Sequence, residues 1–256
     1  MKHIVFLIFL VFFAQISFSQ EIGSFKDPRD GNIYGIVRIS GQVWMSENLN
    51  FQMPGATCYG YSKSNGDSLG RLYTWDAAVE ACPEGWHLPT DDEWKIMEKN
   101  LGMNEILLDR SSFRNAPKMY NAAITNGSSG LNLEKSGWRG ANGKFYHLNK
   151  RGVYWTASIN RQNEGWFRFI DEHKAVYRRY ERKNFSYSVR CISNSNHEQT
   201  FTNNDKEIND NDTELLDNGK YALNSIAELE ELLKKAIREE EYFEAAIIKK
   251  EIDNRN

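Results

Sequence analysis

The chain has 256 residues, with seven Trp, twelve Tyr and fourteen Phe, and 32 basic against 35 acidic side chains give a formal charge of −3. That length suits one full domain plus something small, and the near-neutral charge gives no whole-molecule attraction to nucleic acid. The aromatic residues can support a core, and they are also the side chains that stack on sugars and fill interface pockets.

Met1, Lys2 and His3 form a short basic start, Ile4 to Phe13 is unbroken apolar sequence, and Ser17 and Ser19 precede a cut at Gln20. This order describes a secretory signal peptide over residues 1–19. The apolar run is shorter than the roughly 20 residues a spanning helix needs. No cysteine follows it, so a lipoprotein anchor is not expected. A secreted, periplasmic or cell-surface protein with no membrane insertion after cleavage is the expectation, and an uncleaved N-terminal anchor is the alternative.

Ile33 to Ile39, a turn at Ser40 and Gly41, then Gln42 to Met45 read as a β-hairpin. Thr74 can cap a helix from Trp75 to Cys82, which Pro83 and Gly85 end. Thr90, Asp91, Asp92 and Glu93 form a capping box with an acidic first turn that suits the helix dipole. Trp94, Met97 and Leu101 then share one face, and Gly102 is a natural stop. Residues 104–149 read as long loops with a few short strands. Strand patterns return at Gly152 to Ser158, Trp166 to Ile170, Ala175 to Tyr180 and Tyr187 to Ile192, with Tyr187, Val189 and Cys191 facing inward. Early helices and late antiparallel strands give an α+β class.

Residues 194–220 are dominated by Asn, Asp, Glu, Ser and Thr and read as a disordered linker. In residues 221–256, Ile226, Leu229, Leu232, Leu233, Ala236 and Ile237 keep helical spacing. The run from Glu239 to Glu241 interrupts that stripe, and Tyr242, Ala245, Ala246, Ile248 and Ile252 resume it. Two short helices folded as an αα-hairpin would bury both stripes; one continuous helix in a coiled coil is the alternative. The cysteines are Cys58, Cys82 and Cys191. In an oxidising compartment one pair and one spare thiol are expected, and the count leaves all three pairings open.

Asp27 to Tyr34 with Gln42 to Asn50, then Gly70 to Trp75, Ala81 to Thr90, Tyr154 to Ser158 and Ser188 to Ile192, resemble the Fibrobacter succinogenes major paralogous domain. The similarity covers nearly all of residues 27–193 in order. It implies an exported protein without an established activity, in a C-type-lectin-like fold shared with formylglycine-generating enzymes. It also implies a disulfide between Cys82 and Cys191, whose long loop would contribute roughly 4–5 kcal/mol in the chain-entropy model. Family members often carry a second cysteine where this chain has Ser64 to Ser68, so Cys58 is either a buried thiol or a link between chains. Leu229 to Ile237 and Ala245 to Ile248 resemble the UVR helical hairpin. Behind a signal peptide, that resemblance implies a protein contact or self-association, not a DNA-repair role.

No catalytic residue, metal site or cofactor is expected. Formylglycine-type oxidation needs two neighbouring copper-binding thiols, a spacing this sequence lacks. His87 reads as a packed structural residue, the acidic pair Asp91 and Asp92 is explained by capping, and no concentrated oxygen set suits calcium. The candidate binding surface is Trp166, Arg168, Tyr177, Arg178 and Arg179, where a Trp beside Arg could stack on a sugar or grip an acidic glycan or peptide. The alternative places Trp166 under a loop with the charges solvated. A non-enzymatic recognition module for an extracellular glycan or protein is the leading expectation. An envelope assembly component that self-associates through its hairpin is the second.

Overall fold

The computed structural model describes residues 22–194, 225–238 and 252. The expected signal peptide, nearly all of the expected linker and most of the expected second hairpin arm lie outside the described residues. The chain divides into two compact units, Met1–Asn203 and Asn204–Asn256. No described helix is long and apolar enough to cross a membrane.

Strands β1 (Ile22–Lys26), β2 (Ile33–Ile39) and β3 (Gln42–Met45) form an antiparallel meander. Ser40 and Gly41 both adopt positive φ, at 49° and 81°, which matches the twist of a two-residue hairpin. Next come β4 (Ala56–Thr57), a 3₁₀ turn (Tyr59–Tyr61), α1 (Lys63–Leu69), β5 (Leu72–Thr74), α2 (Trp75–Ala81) and β6 (Trp86–His87). Helix α2 ends one residue earlier than the sequence suggests, because Cys82 is extended, and Thr74 precedes it without a side-chain cap bond.

Helix α3 (Asp91–Asn100) begins with the expected capping box: Glu93 N–H donates to Thr90 Oγ1 at 3.2 Å, and Thr90 N–H donates to Glu93 Oε2 at 2.7 Å. It stops before Gly102, whose φ is 98°. The stretch expected to be mostly loop holds α4 (Glu105–Leu108), β7 (Ser112–Arg114), α5 (Pro117–Ala123), β8 (Trp138–Arg139) and β9 (Phe145–Tyr146). The two helices correct that reading. They are four and seven residues long, too short for a periodic stripe, although Asn104 caps the first and Pro117 opens the second.

Strands β10 (Arg151–Arg161), β11 (Glu164–Asp171), β12 (Val176–Arg182), β13 (Ser186–Ser188) and β14 (Ile192–Ser193) complete the domain. The expected last strand is split, because the chain passes from one sheet to the other between Val189 and Cys191. The smaller sheet has the order β1-β2-β3-β14-β6. The larger runs β4-β5-β13-β10-β11-β12-β7, with β8 on β13 and β9 on β8. The class is mixed α and β, mostly strand.

Both faces of the central strands are buried, so their residues feed two cores. Ile36, Met45, Trp155, Phe167, Tyr187, Val189 and Cys191 join α2 in the first. Val37, Trp44, Tyr154, Ile170 and Val176 join Trp94 and Met97 of α3 and Met119 and Tyr120 of α5 in the second. Cys82 and Cys191 are bonded across 109 residues with Cα atoms 5.9 Å apart. The bond ties the end of α2 to the switch between sheets. Cys58 is a free buried thiol, and a Cβ at Gly66 would collide with its sulfur.

In the second unit, α6 (Ile226–Arg238) starts with Ser225, whose N–H and hydroxyl donate to Glu228 Oε2 at 2.8 and 3.1 Å. Leu229 is buried and Ile226, Leu232 and Leu233 are half-buried, while Glu230, Glu231, Lys234 and Lys235 are exposed. Of the expected second arm, only Ile252 is described, helical and buried.

Candidate functional site

Strand alternation divides the five candidate residues between the two faces of the larger sheet. Trp166, Arg168 and Arg178 lie on the side of α3, in the rows Trp166–Tyr180 and Arg168–Arg178. Arg168 and Arg178 are only 2% and 7% exposed, so this part of the expected surface is an interior. Arg168 reaches Asp91 Oδ1 and Glu98 Oε1, both at 2.7 Å. Arg178 makes a two-pronged pair with Asp91 and donates to the Asp109 carbonyl at 2.9 Å. Arg114 pairs with both Glu98 oxygens at 2.7 and 2.6 Å. The Arg178 guanidinium also lies 3.8 Å over the Trp166 ring.

Burial alone would raise both acids. The hydrogen bond from Arg178 and the charge of Arg168 outweigh it at Asp91, and the charges of Arg168 and Arg114 outweigh it at Glu98. Both carboxyls are therefore held below their ordinary values. The helix start thus does more than cap itself: Asp91 and Glu98 lock α3 to β7, β11 and β12. The spacing of two acids 7 residues apart carries a signal for one helix face, but nothing in the sequence pairs them with arginines from other elements.

Tyr177 and Arg179 face the other way. Phe169 and Tyr177 pair across β11 and β12 and stack with centroids 3.9 Å apart and planes inclined by 11°. Phe113 of β7 adds an exposed ring 5.5 Å from Tyr177. On the other flank the Arg151 guanidinium lies 5.6 Å from the Phe169 ring and 5.7 Å from the Trp138 ring. His147 is stacked on Trp138 at 4.7 Å, with Tyr146 5.9 Å away. A continuous ladder of Phe113, Tyr177, Phe169, Arg151, Trp138 and His147 therefore crosses the sheet. Arg179 stands exposed beside it, two residues along β12. Among the described residues, neither Arg151 nor Arg179 has a carboxylate at ion-pair distance.

The sequence reading found Tyr177 and Arg179 but missed the other members. Phe113, Trp138 and His147 sit in the stretch read as loop. Only the pairing of β7 with β12, and of β8 with β9 and β13, brings them to one face. A smaller aromatic group, Tyr59, Tyr61 and Phe145, packs beyond it at 5.1 and 5.0 Å.

A separate polar pocket of about 140 Å³ is lined by Tyr34, Glu47, Asn48, Asp67 and Glu134 among others. Burial pushes the Glu134 carboxyl up, partly offset by Arg190. Arg190 is itself buried, donating to the Leu131 and Asn132 carbonyls and to Asn48 Oδ1. No group of three metal-ligating His, Cys, Asp or Glu side chains occurs among the described residues.

His87 joins three elements. One ring nitrogen meets Glu93 Oε1 at 2.9 Å and the other meets Asn194 Oδ1 at 2.6 Å. The Glu93 hydrogen bond raises its pKa above the ordinary histidine value, against a smaller opposing effect of burial. The bond to Glu93 attaches this half-exposed histidine to the capping box of α3.

No curated protein and no solved structure matches the chain. A family model for the Fibrobacter succinogenes major domain matches residues 37–193. That match runs from within β2 through β14, covers the whole larger sheet and both disulfide cysteines, and spans more than half of the chain; the chain belongs to the Fibrobacter succinogenes major domain family.

Proposed function

We propose that this protein is an exported, non-enzymatic recognition module that binds a glycan or protein outside the cell through the aromatic ladder. The observation that carries the reading is the run from Phe113 to Trp138, exposed and half-buried rings joined by a guanidinium with no carboxylate at ion-pair distance among the described residues. Rigid aromatic rings offer contact area at small entropic cost and are the side chains interfaces favour. A C-type-lectin-like architecture is the finer fold reading. It is supported by the adjacency of early β3 and late β14 and by the bond from the end of α2 to the late strands. The non-enzymatic reading draws support from thiol chemistry: Cys82 and Cys191 are joined, and Cys58 is single and buried.

Binding of the full chain to glycan and peptide arrays, with and without a calcium chelator, tests the reading. Phe113→Ala with Tyr177→Ala should abolish the interaction found while the variant still unfolds in one cooperative transition, its midpoint lowered by the lost ring contacts. Retained binding by that double variant would move the site elsewhere.

The second reading is an envelope assembly role, with residues 221–256 folding as a UVR-like hairpin that self-associates. The amphipathic exposure of α6 favours it. Light scattering of the chain with and without those residues decides it, and a monomer in both forms removes it.

A further inference from the structure

We infer that the ligand of this face is a carboxylated polysaccharide, a sugar chain bearing uronate groups gripped by Arg151 and Arg179. The inference rests on the recognition role proposed above and specifies its chemistry.

The two faces of the sheet treat arginine in opposite ways. Arg114, Arg168 and Arg178 are each closed on Asp91 or Glu98. Arg151 and Arg179 face no such partner among the described residues. The nearby acids are committed or turned to main chain: Asp171 accepts the His173 and Ala175 N–H groups at 2.9 and 3.1 Å. Glu181 accepts the Arg182 N–H at 3.0 Å, and Glu172 lies 3.9 Å from His173. Among the described residues neither guanidinium has a carboxylate within ion-pair distance, with Asp171 opposite Arg151 in the β10–β11 register and Glu181 two residues from Arg179 in β12.

Arg151 is also held in place before any ligand arrives. Rings on two sides, Trp138 and Phe169, fix its planar head within cation–π range. A positioned guanidinium forms a two-pronged bond to a carboxylate with little further loss of freedom. Arg179 supplies a second charge on the same face, on a neighbouring strand but one, so a ligand with repeated carboxylates meets both.

The path of the ladder favours a glycan over a peptide. It crosses from β7 through β12 and β11 to β10, three strand steps of about 4.8 Å, or roughly 14 Å, and continues through Arg151 to Trp138 of β8. Strand β11 is hydrogen-bonded to β10 on one side and β12 on the other, so the middle of the ladder presents no free main chain to which an extended peptide could add as a further strand. There recognition is by side chains alone, while strand addition stays open at the β7 end of the sheet. Aromatic rings next to guanidiniums supply apolar contact for sugar C–H groups and charge for uronates.

The test compares polygalacturonate with its fully methyl-esterified form, which keeps the sugar backbone and loses the charge, and with poly-glutamate. Polygalacturonate should bind at least about tenfold more tightly than the ester, and Arg151→Ala and Arg179→Ala should each weaken it about tenfold, as expected for one charge-assisted pair. Arg151→Lys should recover only part, since an ammonium lacks the planar fork. Added salt should weaken the interaction. Equal binding of ester and acid, abolished by the Phe113→Ala and Tyr177→Ala pair, would overturn the uronate inference and leave the recognition role standing. Poly-glutamate binding as tightly as polygalacturonate would overturn it in favour of an acidic protein partner. Wild-type affinity in both arginine variants would overturn it as well. Silence toward every glycan and peptide would remove the recognition role with it.

Discussion

Asp91 and Arg178, 87 positions apart in the chain, meet through a two-pronged ion pair with Nε 2.9 Å from Oδ1 and Nη2 2.7 Å from Oδ2. Asp91 is the first residue of α3, so its carboxylate has two roles. It complements the helix dipole, and it draws the helix onto the sheet through Arg168 and Arg178. Glu98, two turns further on, repeats the attachment with Arg168 and Arg114. Two faces of one sheet are thereby set apart: one is locked by charge, and the other carries Arg151 and Arg179, which have no carboxylate at ion-pair distance among the described residues.

Removing one member of the locked network should be costly. Glu98 is fully buried, and Glu98→Gln leaves Arg114 without its counter-charge and Arg168 with Asp91 alone. The expected loss is about 3–5 kcal/mol, read as a lower urea midpoint at unchanged slope. A shift within experimental scatter would mean that water enters the network freely.

The same acids set the acid limb of stability. Asp91 and Glu98 have folded pKa values below their unfolded ones. Their contribution is therefore complete above the unfolded values, about 4, and is lost as pH falls through the folded values. Thermal midpoints should fall steeply below about pH 4. Asp91→Asn should lower the midpoint at neutral pH and flatten that limb; an unchanged acid slope would assign the loss to other carboxylates.

The disulfide closes a loop of 109 residues, which in the chain-entropy model stabilises by about 4–5 kcal/mol. Cys191→Ser should lose most of that and make urea unfolding insensitive to reductant. The wild-type midpoint should drop when reductant is added. Equal midpoints for both proteins without reductant would contradict a stabilising bond.

His87 gives a smaller effect of opposite sign. Its folded pKa is raised above the unfolded value, about 6.5, chiefly by the Glu93 hydrogen bond. Its contribution is full below pH 6.5 and is lost as pH rises through the folded value. The thermal midpoint should decline modestly above neutrality, and His87→Gln should remove that decline. The same slope in the variant would exclude His87 as its origin.

Particular elements show what was legible in the sequence. The β2–β3 hairpin, the Thr90–Glu93 capping box and the inward row of Tyr187, Val189 and Cys191 are local patterns, and each is decided by residues a few positions apart. Helices α1, α4 and α5 were not legible, because one or two turns carry no stripe and their stability comes from what they pack against. The candidate site fared likewise. Alternation puts Tyr177 and Arg179 on one face and Arg168 and Arg178 on the other, but it does not say which face a helix covers.

The sequence by itself determined the family, the local turns and caps, and the alternation that sorts side chains to two faces, since all of these depend on short-range geometry and residue type. Only the tertiary structure decided which arginines are consumed and which remain available. Electrostatic partners are chosen by distance in space, and Asp91 is brought to Arg168 and Arg178 by the packing of α3 on the sheet. The ladder has the same origin: Phe113, Trp138 and Phe169 come from three separate segments, and strand pairing alone makes them neighbours of Tyr177 and Arg151.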